Sequence, residues 1–276
     1  MQIAFQGEIG AYSEEAALAM YERACVVPEP TMEAVFDAVE RNAVDRGVVP
    51  IENSLFGSVH VNYDMLRTRD VCIVGELTLR IRHHLLAAPG TQINDVRTVH
   101  SHPQAIGQCQ DFLKRTLPHA EAVPAYDTAG SAKMVADTRR PGHAAIAAKR
   151  AAQEYGLVVL AADIESHHTN YTRFLSLAPA GALAKTVANK TSVVFALREN
   201  VPGALFKSLA VFALRDLDLY KVESRPLVGS PGRYLFYLDF EGSAAIKPVR
   251  RALEHLSEIT AELKVLGSYR QGPVVG

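Results

Sequence analysis

His167-His168-Thr169-Asn170-Tyr171-Thr172-Arg173-Phe174-Leu175-Ser176-Leu177 is the stretch on which the fold turns. It opens with hydrogen-bonding side chains and passes into an alternating, strand-like run. Side chains on a strand have a period of two, so Thr172 and Phe174 face one way and Tyr171 and Arg173 the other. Taken alone, this is an edge strand with a solvated arginine. Upstream of it, strand-like runs at 2–5, 24–27, 47–50, 71–86, 96–100, 121–125, 143–147 and 157–161 alternate with helical segments. The helices are expected at 14–23, 31–42 and 149–155, with further helix starts after residues 101 and 127. This alternation is the α/β pattern, and the quoted stretch closes it. The polar clusters fall at strand-to-helix junctions, where α/β sheets place ligands, and they point to one shared cleft.

Downstream, residues 178–188 form an Ala/Gly/Pro-rich linker, and the order then changes. A strand at 191–197, a helix from 202 to about 214 and a strand at 217–228 lead to the hairpin turn Gly229-Ser230-Pro231-Gly232. A strand at 233–240, a helix at 244–256 and a strand at 259–269 complete a ferredoxin-like βαββαβ module.

Composition bounds the function. Of 276 residues, 48% are hydrophobic and 21% charged, as in an ordinary globular chain with a real core. A formal charge of −1 supplies no general basic field for nucleic acid or an anionic membrane. Cys25, Cys72 and Cys109 are odd in number and far apart, so they read as reduced, buried thiols. Met1 leads straight into a strand-like run, with no charged and apolar leader, and the chain is expected to be cytoplasmic. No apolar run approaches the length of a transmembrane helix. The ten histidines occur mostly as pairs without a third ligand, so no metal is expected. Neither GxGxxG nor Gly-Lys-Ser/Thr occurs, which argues against a nucleotide.

The junctions carry the motifs. Gly7-Glu8-Ile9-Gly10-Ala11-Tyr12-Ser13 places two glycines at a strand-to-helix turn, with Ser13 as the expected N-cap. Val49-Pro50-Ile51-Glu52-Asn53-Ser54, followed by Gly57-Ser58-Val59, gathers hydrogen-bonding side chains just past a strand. Ser101-His102-Pro103-Gln104-Ala105, with Gln108-Cys109, is a polar helix start. Asp127-Thr128-Ala129 begins another helix with an Asp or Thr cap.

In this order, and with Asn170-Tyr171-Thr172-Arg173-Phe174, these pieces resemble monofunctional prephenate dehydratase along nearly the whole chain. The last part looks like an ACT regulatory domain, with Gly203-Ala204-Leu205 and Glu223-Ser224-Arg225-Pro226 at that family's phenylalanine-site motifs. The resemblance implies a catalytic domain over 1–180, built from two periplasmic-binding-protein-like lobes around a cleft. Lobe one would take about 1–80 plus 162–180, and lobe two about 81–161, with the ACT domain over 189–271. It further implies decarboxylative dehydration of prephenate to phenylpyruvate without metal or organic cofactor, allosteric control by L-phenylalanine, and a homodimer or homotetramer. The alternatives are arogenate dehydratase, with an amino group on the same ring chemistry, and a non-catalytic amino-acid sensor.

The same resemblance assigns roles. Thr172, Arg173 and Glu52 are the catalytic candidates. Ala11, Tyr12, Ser13, Asn53, Ser54, Ser101, Gln108, Thr128, Asn170 and Phe174 would bind substrate. A hydroxyl aimed at the leaving oxygen is worth about 3 kcal/mol by analogy with one oxyanion donor, and Thr172 suits that task. Arg173 is the natural bidentate partner of a carboxylate. Both serve only if the strand is twisted or bulged, unless Arg173 braces the structure instead. Glu52 would repel a dianionic substrate unless protonated or paired, so it would position Thr172 or a basic group. The bare sheet face and edge of a βαββαβ module would be covered by a second copy, with phenylalanine bound between the two.

Overall fold

The computed structural model describes residues 1–182, 187–227 and 229–276; part of the expected linker, and the expected strand end at Val228, lie outside them. The first part of the chain lays down β1 (Gln2–Gln6), α1 (Tyr12–Met20), β2 (Cys25–Glu29), α2 (Met32–Glu40), β3 (Arg46–Asn53), the short β4 (Gly57–Ser58), α3 (His60–Thr68) and β5 (Val71–Arg80). It crosses into a second lobe of β6 (His84–Ala87), β7 (Thr98–Ser101), α4 (Pro103–Gln108), α5 (Gln110–Thr116), β8 (Glu121–Pro124), α6 (Thr128–Thr138), β9 (His143–Ala147), α7 (Lys149–Tyr155) and β10 (Val158–Ala161). It then returns as β11 (Tyr171–Pro179). The long strand expected at 71–86 is therefore two strands in two sheets. The break comes where the outgoing and returning segments run side by side: Ile81 N donates to Asn170 O (2.8 Å) and Ile164 N to His83 O (2.9 Å).

The remaining elements are β12 (Lys190–Leu197), α8 (Ala204–Ala213), β13 (Leu219–Pro226), β14 (Tyr234–Glu241), α9 (Lys247–Ile259), β15 (Thr260–Tyr269) and β16 (Val274–Val275). Among the described residues, the first sheet has the order β16-β5-β11-β3-β1-β2, with β4 on β3. β3 lies parallel to β1, and β11 antiparallel to both β3 and β5. The second sheet runs β10-β6-β9-β7-β8 and the third β13-β14-β12-β15. The result is two α/β lobes followed by a βαββαβ unit.

The third sheet corrects one expectation. Its helix side is packed by Val193, Phe195, Phe236, Leu238 and Phe240 beneath Val211 and Phe212 of α8 and Val249 and Leu256 of α9. Its other side, expected to be bare and covered by a second copy, is covered by the chain's own first lobe. Val194, Ala196, Leu235, Tyr237, Leu266 and Tyr269 share a core with Val49, Ile51, Tyr63, Leu66, Ile73 and Leu175. The physical reason is that β12 is apolar on both faces over Val193–Leu197 and buried throughout, as a strand covered on both sides must be.

Two smaller expectations also change. Helix α1 starts at Tyr12, with Ala11 at its N-cap and no side-chain cap, so Ser13 sits inside the first turn. Cys25 is exposed rather than buried. After β15 the chain returns to the first lobe, where β16 pairs in parallel with β5 through Val274–Thr78 and Val275–Leu79. This approach needs glycine: a Cβ on Gly272 would lie 1.8 Å from Glu76 O.

Candidate active site

The cleft between the two lobes encloses a cavity of about 680 Å³. Its centre is built where β3 ends beside the start of β11, with Thr172 opposite Asn53 in the antiparallel register. Asn53 Nδ2 donates to Thr172 Oγ1 (2.9 Å) and to Asn170 Oδ1 (2.8 Å). Asn53 Oδ1 accepts from the backbone N–H groups of Leu55 and Phe56, which fixes the amide's orientation. With Oγ1 already an acceptor, the Thr172 O–H remains free to donate into the cleft. Asn170 Nδ2, on a fully buried residue, has no partner among the described residues. It is a second donor at the cleft wall.

Ala11, Tyr12, Ser13, Asn53, Gln108, Thr128, Asn170, Thr172 and Phe174 all line this cavity. The starts of α1 and α6 bring backbone N–H groups to it from opposite lobes, and helix N-termini favour anions. The Asp127 side chain caps Gly130 N, and burial pushes its carboxyl upward. The lobes are tied beside the cleft by Glu8 with Lys133 (2.8 Å), Glu14 with Arg150 and Tyr155 OH with Ile9 O (2.6 Å). Gly10, at φ +92°, makes this docking possible, because a Cβ there would meet Ala151 Cα at 2.8 Å.

Sequence reasoning missed His83. It sits on the crossing between lobes, 2% exposed, and lines the cavity. Its Nδ1 lies 2.8 Å from Tyr12 OH in lobe one, and its Nε2 pairs with Gln108 Oε1 in lobe two. Burial pushes this imidazole below its ordinary value, as it does for His102 at the same wall. Both rings are therefore neutral at neutral pH. Among the described residues no Lys or Arg lines the cavity, while Glu33 and Asp127 do. The signal available in sequence was a histidine pair between two apolar strands, which leaves open which ring meets the cleft.

Four expected residues lie elsewhere. Ser54 Oγ donates to Thr169 O and accepts from Tyr171 N, tying down the loop before β11. Ser101 Oγ donates to Ile146 O (2.6 Å) inside the second lobe. Arg173 and Glu52 are opposite one another in register, and both turn away from the cleft toward the βαββαβ unit. Arg173 binds Glu76, Asp239 and Tyr269 OH. Burial opposes its charge, but Asp239, Tyr269 and Glu76 hold the guanidinium more firmly protonated than usual. Glu52 binds Lys221 Nζ (2.9 Å). Strand alternation is the reason: the faces carrying Thr172 and Asn53 cannot also carry their neighbours.

In the βαββαβ unit, Gly203 takes φ +83° at the N-cap of α8, while Ala204 and Leu205 pack on the helix-side core. Glu223 and Arg225 turn inward: Glu223 binds Ser58 and Lys221, and Arg225 binds Asp64 (2.6 Å). Ser224 and Pro226 are exposed. Among the described residues, no group of three or more His, Cys, Asp or Glu is placed to hold a metal, and no helix is long and apolar enough to cross a membrane.

Comparison with known proteins agrees with this architecture. The family profile described as prephenate dehydratase matches residues 3–182. Arogenate dehydratase/prephenate dehydratase 2, chloroplastic, of Arabidopsis thaliana is 48% identical over 279 residues, covering 98% of this chain and 72% of that protein. The crystal structure of prephenate dehydratase from Arthrobacter aurescens in complex with L-Phe has a TM-score of 0.89 at 34% identity, covering 100% of this chain and 93% of that one. A structure described as GqqA, a novel type of quorum-quenching acylase, has a TM-score of 0.89 at 32% identity, covering 99% of each chain. With the profile spanning both lobes and a 48% identical relative along nearly the full length, the chain belongs to the prephenate dehydratase family.

Proposed function

We propose that this chain converts prephenate to phenylpyruvate by decarboxylative dehydration, under allosteric control by L-phenylalanine. The observation that carries the reading is the Asn53–Thr172 hydrogen bond, which leaves the threonine O–H free to donate into the cleft. In the reaction the ring carboxylate departs as CO2, and the electron pair of the broken C–C bond enters the ring. The ring becomes aromatic as the C–O bond to its hydroxyl breaks. The Thr172 O–H stabilises negative charge building on that oxygen; it is a hydrogen-bond donor, since a threonine does not titrate in the useful range. The carboxylates are held by neutral donors: the N–H groups at the starts of α1 and α6, Ser13, Thr128 and Asn170.

A second substrate is favoured by a specific observation. Arogenate carries an ammonium group where prephenate has a keto group, and the cavity is lined by Glu33 and Asp127 with no Lys or Arg among the described residues. The Arabidopsis relative carries both activities in its name. Kinetics on the two acids, following phenylpyruvate and phenylalanine separately, decides between them. Conversion of neither acid overturns the reading.

For regulation, the βαββαβ order and the left-handed Gly203 at a helix start support an ACT-like unit. The L-Phe complex of the Arthrobacter aurescens protein supports phenylalanine as effector. Phenylalanine would bind between two such units in a homodimer or homotetramer. Calorimetry that detects no phenylalanine binding overturns this part.

A further inference from the structure

The cross-strand pair Thr172–Asn53 has its immediate neighbours, Arg173–Glu52, gripped from behind by the βαββαβ unit. Arg173 Nε lies 2.7 Å from Glu76 Oε2, Nη1 2.7 Å from Asp239 Oδ2 and Nη2 3.1 Å from Tyr269 OH. Lys190 Nζ completes the cluster, 3.0 Å from both oxygens of Glu76. Ser192 Oγ bonds Asp239 (2.5 Å) and Tyr269 OH (2.6 Å). Two cations and two carboxylates are thus buried together with balanced charge, and only Arg173 and Glu76 come from the first lobe. Beside them, Lys221 Nζ lies 2.9 Å from Glu52 Oε2, 3.0 Å from Glu223 and 3.2 Å from Ser58 Oγ. The register of β11 on β3 shifts directly after Arg173, so this end of the pair is not held by a regular ladder.

We propose that the βαββαβ unit positions the Thr172 hydroxyl, with Lys221 on Glu52, and Asp239 and Tyr269 on Arg173, acting as positioning residues of the reaction. Thr172 and Arg173 share a peptide bond, as do Glu52 and Asn53, so a displacement at the back of the sheet moves the front. A misplacement of about 1 Å at a reacting centre can cost about 100-fold in rate. On this reading Arg173 contributes to catalysis without touching substrate. Any ligand that shifts the βαββαβ unit against the first lobe then changes kcat through these two grips. The inference rests on the proposed role of Thr172.

The test uses Lys221→Met, which keeps the aliphatic stem and removes the charge. The Glu52 side chain is 40% exposed, so water can replace its partner, and Glu223 keeps Ser58 Oγ and His60 Nδ1 beside it, so folding is spared. In the full chain, Lys221→Met is expected to lower kcat about 10-fold with KM changed less than about twofold, and Lys221→Arg to recover most of the loss. In an Asn53→Ala background, where the hydrogen bond to Thr172 is already gone, Lys221→Met is expected to cost less than about twofold more. Unchanged kcat in the single variant, or losses that simply multiply, overturns the proposal. A second readout is independent of turnover. Amide hydrogen exchange across 171–177 is expected to rise about 10-fold in Lys221→Met, and unchanged exchange overturns the coupling. Failure of the parent protein to convert either prephenate or arogenate refutes the proposed function instead, and the exchange experiment still decides the grip.

Discussion

Removing the Thr172 hydroxyl deletes the donor at the leaving oxygen together with the acceptor of Asn53 Nδ2, which keeps Asn170 Oδ1 as a partner. Thr172→Ala is expected to lower kcat about 100-fold with little change in KM, and Thr172→Ser to retain much more activity. Equal, small effects from both substitutions in steady-state assays would remove Thr172 from the chemistry. His83 makes a different prediction. Burial holds its imidazole below the ordinary value of about 6.5, so the unfolded chain takes up a proton first as pH falls. Above about pH 6.5 both states are neutral, and stability is lost as pH drops from there through the lower folded value. Thermal melts between pH 7.5 and pH 5 are expected to show this loss, with a shallower fall in His83→Asn; parallel curves would refute it. At this scale the sequence was partly legible. The period of two already set Thr172 and Arg173 on opposite faces, yet nothing local to the strand said what lay behind Arg173. Glu76, Asp239 and Tyr269 are 97, 66 and 96 residues away along the chain.

Among the elements, the strand–helix alternation was legible because several junctions carry their own turn or cap chemistry, such as Thr31 accepting from Ala34 N and Asp127 from Gly130 N. The split of 71–86 into β5 and β6 was not, because the alternation of Leu77, Leu79 and Ile81 runs up to the break with no Gly or Pro to mark it, and the break depends on the returning segment at Asn170. Nor was β16, since two residues carry no periodicity. Its docking predicts a large local effect. Gly272→Ala would set a Cβ against Glu76 O, and the tail must move away from β5. The expected result is a loss of about 2 kcal/mol or more, read as a Tm lower by several degrees, with faster hydrogen exchange at Thr78. Thr78 N donates to Pro273 O in the parent chain, so unchanged exchange there would show that the tail does not hold this edge.

For the whole molecule, the sequence located a second unit but not its orientation. A bare sheet face looked like a seat for another copy, and the first lobe occupies it instead. A second copy would therefore have to meet the helix side or the β13 edge, where Phe206, Leu214, Tyr220 and Val222 are exposed. Gly203 tests the regulatory reading. Its φ of +83° strains any residue with a side chain, although nothing lies within 4 Å of a Cβ there. Gly203→Val is expected to weaken phenylalanine binding in calorimetry about 10-fold or more, a loss of about 1.4 kcal/mol or more. Unchanged binding would place the effector elsewhere.

The pairing of Val275 with Leu79 also bears on how the protein is made. Synthesis runs from the N-terminus, and domains generally fold as they emerge. Here β5 gains its outer neighbour only once residue 275 has left the ribosome, after the whole βαββαβ unit. The first lobe must wait through that interval with an open strand edge and an uncovered apolar face, the condition in which nascent chains most need a chaperone.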